Sequence, residues 1–347
     1  MKWSSGKSRN SKAPGKSYLE RLISNSIFQA TGLIVCLFGA GMFLSKDAAK
    51  FKLTILASVS TRKTPAQIDS IAHEISVKVL DRDFLGSGFV VKRKGNKYIA
   101  ITNQHVLRAG EAPYKIETSD GKVYRAKVVA DVVKDLQYDL AILEFEADAV
   151  YPTATIGNSL YLEVGEPVFA AGFPYGELDT DITTPASFDE SKDDLKLALK
   201  QGRVVIVLDR ALEEGYQIGY TNDVRKGMSG GPLLNSQGEV VGVNGKHAYP
   251  LWESPEIYQD GREPCPALQD LITRSSLAIP IEKSLESPQL KSLKLSNSKI
   301  PPQSNLSSED SQLISKMQLE AQRTISSCQN MEQSTVNSQQ STVNSQQ

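Results

Sequence analysis

From residue 76 to residue 281 the sequence is cut into short β-branched and aromatic runs, each closed by a turn signal, and few architectures accept that pattern. The first group is Ser76 to Leu80, Gly86 to Lys92, Lys97 to Asn103, Tyr114 to Thr118, Val123 to Val132 and Asp139 to Phe145. After a linker over 149 to 165 come Pro167 to Ala171, Arg203 to Leu208, Tyr216 to Thr221, Gly231 to Leu234, Glu239 to Val243 and Leu277 to Ile281. Lys94-Gly95-Asn96 and Ser119-Asp120-Gly121 supply the residues that positive φ demands at hairpin turns. Many short strands at such intervals predict an all-β sandwich or barrel. A helix is expected just before them: Thr64 can cap it, Pro65 takes its first position, and Ile68, Ile71, Ala72 and Ile75 recur at helical spacing. His73 on that helix reads as a surface or packing residue. Tyr175 to Gln201 and Ala248 to Ser276 exceed what hairpins need, with Lys192 to Lys200 a candidate helix. Both read either as surface loops or as substrate-contact loops.

The flanks differ in kind from this centre. Residues 1 to 25 are polar and basic. Residues 26 to 44 are apolar apart from a few polar positions such as Gln29 and Thr31. As a helix, Ile27 to Leu44 would span about 27 Å at ~1.5 Å per residue, close to the ~30 Å of a hydrocarbon core. A single membrane span is therefore expected, with a removed signal segment as the alternative. The short basic N-terminus is expected inside and the bulk of the chain on the extracytoplasmic side, or secreted or periplasmic if the segment is cleaved. Residues 45 to 64 read as a linker, 65 to 282 as the folded domain, and 283 to 347 as a Ser/Gln/Asn/Lys-rich tail ending in a tandem repeat. Such a composition buries too little apolar surface to offset its ordering entropy, so the tail is expected to be disordered. One amphipathic stripe, Leu313, Met317, Ala321 and Ile325, could form a docking helix within it.

Net charge is -1 with 23% charged residues, which argues against nucleic acid as a partner. Of the three cysteines, Cys36 lies in the apolar run, leaving Cys265 and Cys328 as a possible pair. No CxxC or His/Cys cluster is present, so no structural zinc is expected.

Chemistry gathers at three stretches. Gly227-Met228-Ser229-Gly230-Gly231-Pro232 can hold a serine on a tight turn, where the amides of Gly227 and Ser229 converge as an oxyanion hole. Alone, it also reads as a glycine-rich hairpin turn. Upstream, Gly86-Ser87-Gly88 and Thr102-Asn103-Gln104-His105 put an imidazole directly after a strand. Asp139-Leu140-Ala141-Ile142-Leu143 opens an apolar strand with a carboxylate, Asp131 and Asp135 being nearby alternatives without such a run.

These motifs, in the order His, Asp, Ser, resemble the trypsin-like serine proteases of the chymotrypsin fold, particularly the bacterial, disulfide-free type. The resemblance covers Ser76 to Ile281. It implies two six-stranded antiparallel β-barrels, over about 76 to 147 and 165 to 282. It also implies Ser229 as nucleophile, His105 as general base and acid, Asp139 as orienting carboxylate, and the Gly227 and Ser229 amides as oxyanion donors. No cofactor or metal is implied, and the partners are protein or peptide substrates. Leu277-Ala278-Ile279-Pro280-Ile281 is similar to the high-temperature-requirement group, whose members usually carry a PDZ domain after the barrel; the tail here shows no such pattern. Met228 stands where animal members have an aspartate, so activation by a salt bridge to a freed N-terminus is not expected, and Gln104 replaces a small residue before the histidine. Asp223 lies where enzymes cutting after Arg or Lys place a pocket carboxylate. It reads equally as an exposed loop residue neutralised by Arg225 and Lys226. Asn244 and Gly245 are expected along the pocket wall, and His247 at the surface. The expected function is a serine endopeptidase. The alternative is a catalytically restrained binding or scaffold protein on the same fold.

Overall fold

The computed structural model describes residues 62–129, 138–175, 195–250, 255–296 and 306–344, with side chains in the last segment described as far as 331. The apolar run over 26–44, the carboxylates Asp131 and Asp135, and the acidic stretch 176–194 lie outside these residues. Among the described residues no helix is long and apolar enough to cross a membrane.

Helix α1 (Pro65–Ile75) begins with a reciprocal cap. The Gln67 amide donates to Thr64 Oγ1, and the Thr64 amide donates to Gln67 Oε1 at 2.9 Å. Its buried face is Ile68, Ala72 and Ile75. Six strands follow: β1 (Ser76–Leu80), β2 (Phe84–Lys94), β3 (Lys97–Thr102), β4 (Tyr114–Glu117), β5 (Val123–Val128) and β6 (Ala141–Glu146), with the short helix α2 (Gln104–Arg108) after β3. They close a barrel in the order β1-β2-β3-β6-β5-β4. A second barrel, β10-β11-β12-β9-β8-β7, is built from β7 (Pro167–Gly172), β8 (Ala198–Val207), β9 (Ile218–Tyr220), β10 (Pro232–Asn235), β11 (Val240–Lys246) and β12 (Ser276–Pro280). The ladders between these strands are antiparallel, and Val79↔Ile116 and Ala170↔Leu233 sit on the ladders that close the two cylinders. The double barrel expected from the motifs is therefore present.

Strands such as β3 and β6 read as continuous apolar runs because both of their faces are buried. Tyr98, Ala100, Leu143 and Phe145 point into the first barrel, where Tyr98 stacks on Phe145 with ring centroids 5.2 Å apart. Ile99, Ile101 and Ile142 face outward into a separate core shared with Ile68 and Ala72 of α1 and with Phe169, Leu234, Val243 and Ile279 of the second barrel. Each such side chain contributes about 1.5–3 kcal/mol by leaving water. This outer core fixes one barrel against the other and so fixes the groove between them.

Three expectations change. The domain is not free of disulfides: Cys265 and Cys328 are bridged, with Cα atoms 5.4 Å apart. The bridge lies outside the barrel strands and joins the start of α3 (Pro266–Thr273) to a long helix, α5 (Ser308–Asn344), while a short α4 (Ile281–Ser284) follows β12. Nor is the tail disordered throughout, because α5 is held by specific contacts that compensate for its polar composition. Arg203 pairs with Asp310 at 2.7 Å, Arg274 with Glu320, and Gln318 Nε2 donates to the Val164 carbonyl. Its packed face is offset from the expected stripe: Leu313 is exposed, while Ile314 lies against Gly165, and Ala321 and Thr324 are buried. Finally, Ala198 to Lys200 belong to β8 and pair with β7, so the helix expected over Lys192 to Lys200 gives way to cross-strand pairing at its described end.

Candidate active site

The groove residues are placed by backbone groups that the barrels leave unpaired. β3 ends at Thr102, whose hydroxyl donates to the Ser87 carbonyl at 2.7 Å. Asn103, extended at the start of α2, donates from Nδ2 to the Asp139 carbonyl at 2.7 Å. His105 is thus on the first turn of a helix rather than on the strand end itself. Asp139 precedes β6, and its amide donates to the Glu214 carbonyl at 2.8 Å.

The imidazole and the carboxylate meet. His105 Nδ1 lies 2.5 Å from Asp139 Oδ2, and the His105 amide donates to Oδ1 at 2.8 Å. The Tyr216 hydroxyl donates to Oδ2 at 2.6 Å, and Arg108 Nη2 stands 3.8 Å from Oδ1. The carboxylate is fully buried, whereas the histidine side chain is 38% exposed, which leaves the rest of the ring open to the groove. Burial pushes the Asp139 carboxyl up, but the donors from His105 and Tyr216 outweigh it and hold the group below the usual carboxylate range. Burial, with the adjacent Asp139 charge, raises Tyr216 well above an ordinary phenol, so it remains a proton donor.

Ser229 is presented by a loop that only glycine permits at two points. Gly227 has φ +95°, and a β-carbon on it would lie 2.4 Å from the Phe173 carbonyl oxygen. Met228, in the position an aspartate could have held, is buried in the second barrel. Ser87 fastens the loop to the first barrel. Its amide donates to the Ser229 carbonyl at 2.9 Å, and its hydroxyl donates to the Gly227 carbonyl at 2.7 Å while accepting from the Phe173 amide. Among the described residues, no protein acceptor takes the amides of Gly227 and Ser229. The Ser229 hydroxyl donates to the Gly245 carbonyl at 3.1 Å. Gly245 in turn packs on Tyr216, with a β-carbon there falling 2.2 Å from the phenol oxygen. Contacts therefore run from Ser229 through Gly245 and Tyr216 to Asp139 and His105.

The tentative pocket residues separate. Asp223 is exposed and paired with Arg225 at 2.8 Å, the neutralised loop arrangement. Asn244 is wholly buried, donating to the Ala171 and Pro232 carbonyls and accepting from Tyr220, so its side chain serves the barrel rather than the groove wall. Gly245 meets the Ser229 hydroxyl through its carbonyl. His247 is exposed at a cavity of about 200 Å³ also lined by Lys246, Glu256, Gln269 and Ile272. Among the described residues no cluster of three His, Cys, Asp or Glu could hold a metal ion. The sequence reasoning missed Tyr216 and the clamp made by Ser87. The latter had a signal, a polar residue between Gly86 and Gly88. The former had none, being one tyrosine in a strand-like run.

Residues 86–243 match the family described as trypsin-like peptidase domain. The chain is 33% identical over 159 residues to the serine protease Do-like HtrA of Lactobacillus helveticus, covering 46% of this chain and 35% of that protein. It is 34% identical over 167 residues to the serine protease Do-like HtrA of Bacillus subtilis, covering 46% and 32% respectively. The match thus spans about a third of each relative. A solved HtrA-type protease, AlgW with decapeptide, is 19% identical, with a TM-score of 0.46 over 67% of each chain.

Proposed function

We propose that this chain is a serine endopeptidase acting on protein or peptide substrates, with Ser229 as nucleophile, His105 as base and acid, and Asp139 as orienting carboxylate. The observation that carries the reading is the 2.5 Å contact of His105 Nδ1 with a buried Asp139 whose remaining donors are all in place. That contact fixes the tautomer with Nδ1 protonated and Nε2 free to accept a proton. The first step asks Ser229 Oγ to swing from the Gly245 carbonyl toward Nε2. As Oγ attacks the scissile carbonyl carbon, its proton passes to Nε2 and the carbonyl π pair moves to oxygen. The amides of Gly227 and Ser229 receive that oxyanion. Collapse expels the amine, which takes the proton from Nε2, and leaves an acyl-enzyme. Water then repeats the sequence and releases the acid.

Labelling by a fluorophosphonate probe tests this. The wild type is expected to label and Ser229→Ala to lose the label; a folded wild type that stays unlabelled overturns the enzyme in favour of a binding protein on this fold. We further propose that residues 26–44 anchor the chain, with the barrels on the extracytoplasmic side. The apolar run supports this, and retention in the membrane pellet through alkaline extraction tests it.

A further inference from the structure

We propose that Tyr216 is a positioning residue for the reaction: its hydroxyl, brought from the second barrel, holds the Asp139 carboxylate of the first in the orientation that fixes the His105 imidazole. The inference rests on the catalytic reading above. Both partners are fully buried and 2.6 Å apart, and the phenol shares Oδ2 with His105 Nδ1. The loop that carries it grips Asp139 twice, because Glu214, two residues before Tyr216, accepts from the Asp139 amide. The ring has little freedom. A β-carbon on Gly245 would lie 2.2 Å from its oxygen and 2.4 Å from Cε1, so the main chain at 245 is in close contact with the phenol edge. Lys246 Nζ sits 4.9 Å from the ring centroid, and the Tyr216 carbonyl accepts from the Leu212 amide. The titratable and charged groups around the pair are His105 and Arg108 at Asp139, Glu214 bound to Arg108, and Lys246 bound to Glu256 beside Tyr216. A donor fixed in this way needs no reorganisation when the imidazole becomes charged, unlike water. It also explains why position 245 lacks a side chain, since the phenol occupies that space.

A tyrosine that merely satisfies a buried carboxylate would alter stability alone, so the test reads kinetics in the full-length protein. Tyr216→Phe keeps the ring and removes the donor. With a chromogenic peptide that the wild type cleaves, kcat is expected to fall about ten- to a hundredfold, the range for one hydrogen bond to a charged group, with KM unchanged. The acid limb of kcat/KM moves to higher pH, because a carboxylate with one donor fewer directs more of its charge at its imidazole partner and so favours the protonated base. In an Asp139→Asn background the same substitution is expected to cost less than about twofold, since its effect passes through that carboxylate. Incorporating 3-fluorotyrosine at 216, a stronger donor that keeps the fold, moves the acid limb to lower pH. Wild-type kcat and acid limb in Tyr216→Phe, an undiminished loss in the Asp139→Asn background, or an unmoved limb with 3-fluorotyrosine would each overturn the role while labelling of Ser229 persists. A wild type that neither labels nor cleaves overturns the catalytic reading itself, and the role with it.

Discussion

A β-carbon added to Gly230 would lie 2.2 Å from the carbonyl oxygen of Ser87, with the Thr102 hydroxyl 2.3 Å away. The residue after Ser229 is thus wedged against the two segments that lead to the clamp and to His105. Gly230 also has φ +85°, where an L side chain is strained. Gly230→Ala must therefore push the serine loop out of the groove, at a cost of about 3 kcal/mol or more. A lowered urea midpoint together with a slower rate of fluorophosphonate labelling is expected; retention of both at wild-type values would contradict the packing.

Asp139 ties acid stability to the site. Burial pushes its carboxyl up, and the His105 and Tyr216 donors more than reverse that, leaving it below the usual range. The unfolded group titrates near ~3.9. A depressed folded value means that its contribution to stability is fully present above that pH and is lost as pH falls through the folded value. Urea midpoints measured from pH 5 to pH 2 are expected to decline less steeply in Asp139→Asn than in the wild type. The same variant is expected to lose roughly 10⁴-fold in kcat, as when the aspartate of a protease triad becomes its amide.

Glu166 works in the opposite sense and away from the chemistry. Burial lifts its carboxyl to about 7, against the Arg62 guanidinium at 3.8 Å. With the folded value above the unfolded one, the favourable contribution is fully present below about 4.3 and disappears as pH rises to 7, after which stability is flat. Glu166→Gln removes that slope, so the variant is expected to exceed the wild type by on the order of 3–4 kcal/mol at pH 8 relative to the difference at pH 4. Parallel pH profiles of urea stability would refute this.

Strands and turns were legible where a local rule acts alone. Gly95 and Gly121 do take positive φ at the turns expected of them, and the Thr64 cap with Pro65 starts α1 as its residues require. The motif stretches around His105, Asp139 and Ser229 were legible because glycine and strand-end context limit what such residues can do. What stayed hidden depends on contacts between distant segments. Tyr216 reaches Asp139 across a separation of 77 residues, and nothing adjacent to either announces it. The stripe through Ala321 and the possible pairing of Cys265 with Cys328 pointed to a docking helix within the tail, but the ion pairs that help to hold α5 to the second barrel join distant segments and left no local signal. Asp223 shows the converse: spacing from Ser229 left a pocket carboxylate and a neutralised loop residue equally open, and the side chain pairs with Arg225.

That turn has a consequence for specificity. With Asp223 exposed and neutralised by Arg225, the side chain offers no buried charge for a basic P1 group. Asp223→Asn is expected to leave the ratio of cleavage after Arg or Lys to cleavage after aliphatic residues within about twofold of wild type, as for a screened surface ion pair. A peptide-library profile gives that ratio directly, and a selective loss of Arg and Lys cleavage would restore Asp223 to the pocket.

The bridge between Cys265 and Cys328 closes a loop across a sequence separation of 63 residues. In the chain-entropy account, a loop of that length stabilises the folded state by about 4 kcal/mol, by restricting the unfolded one. The remaining attachments of α5 are partly exposed ion pairs such as Arg203–Asp310 and Arg274–Glu320, each worth about 1 kcal/mol or less in water, with the Gln318 hydrogen bond and a narrow packed face at Ile314, Ala321 and Thr324. Without the bridge they hold a largely polar helix weakly. Cys328→Ser is therefore expected to release α5 from the second barrel, with faster proteolytic cleavage within residues 308–328 of the helix. Ser229 is presented by Gly227, Ser87 and Gly245, none of which touches the helix contacts named above, so fluorophosphonate labelling is expected to persist at the wild-type rate. Mass spectrometry of the proteolysis products, with labelling measured on the same samples, separates the two effects. Unchanged cleavage would show that the ion pairs and the packing of Ile314 on Gly165 hold α5 by themselves.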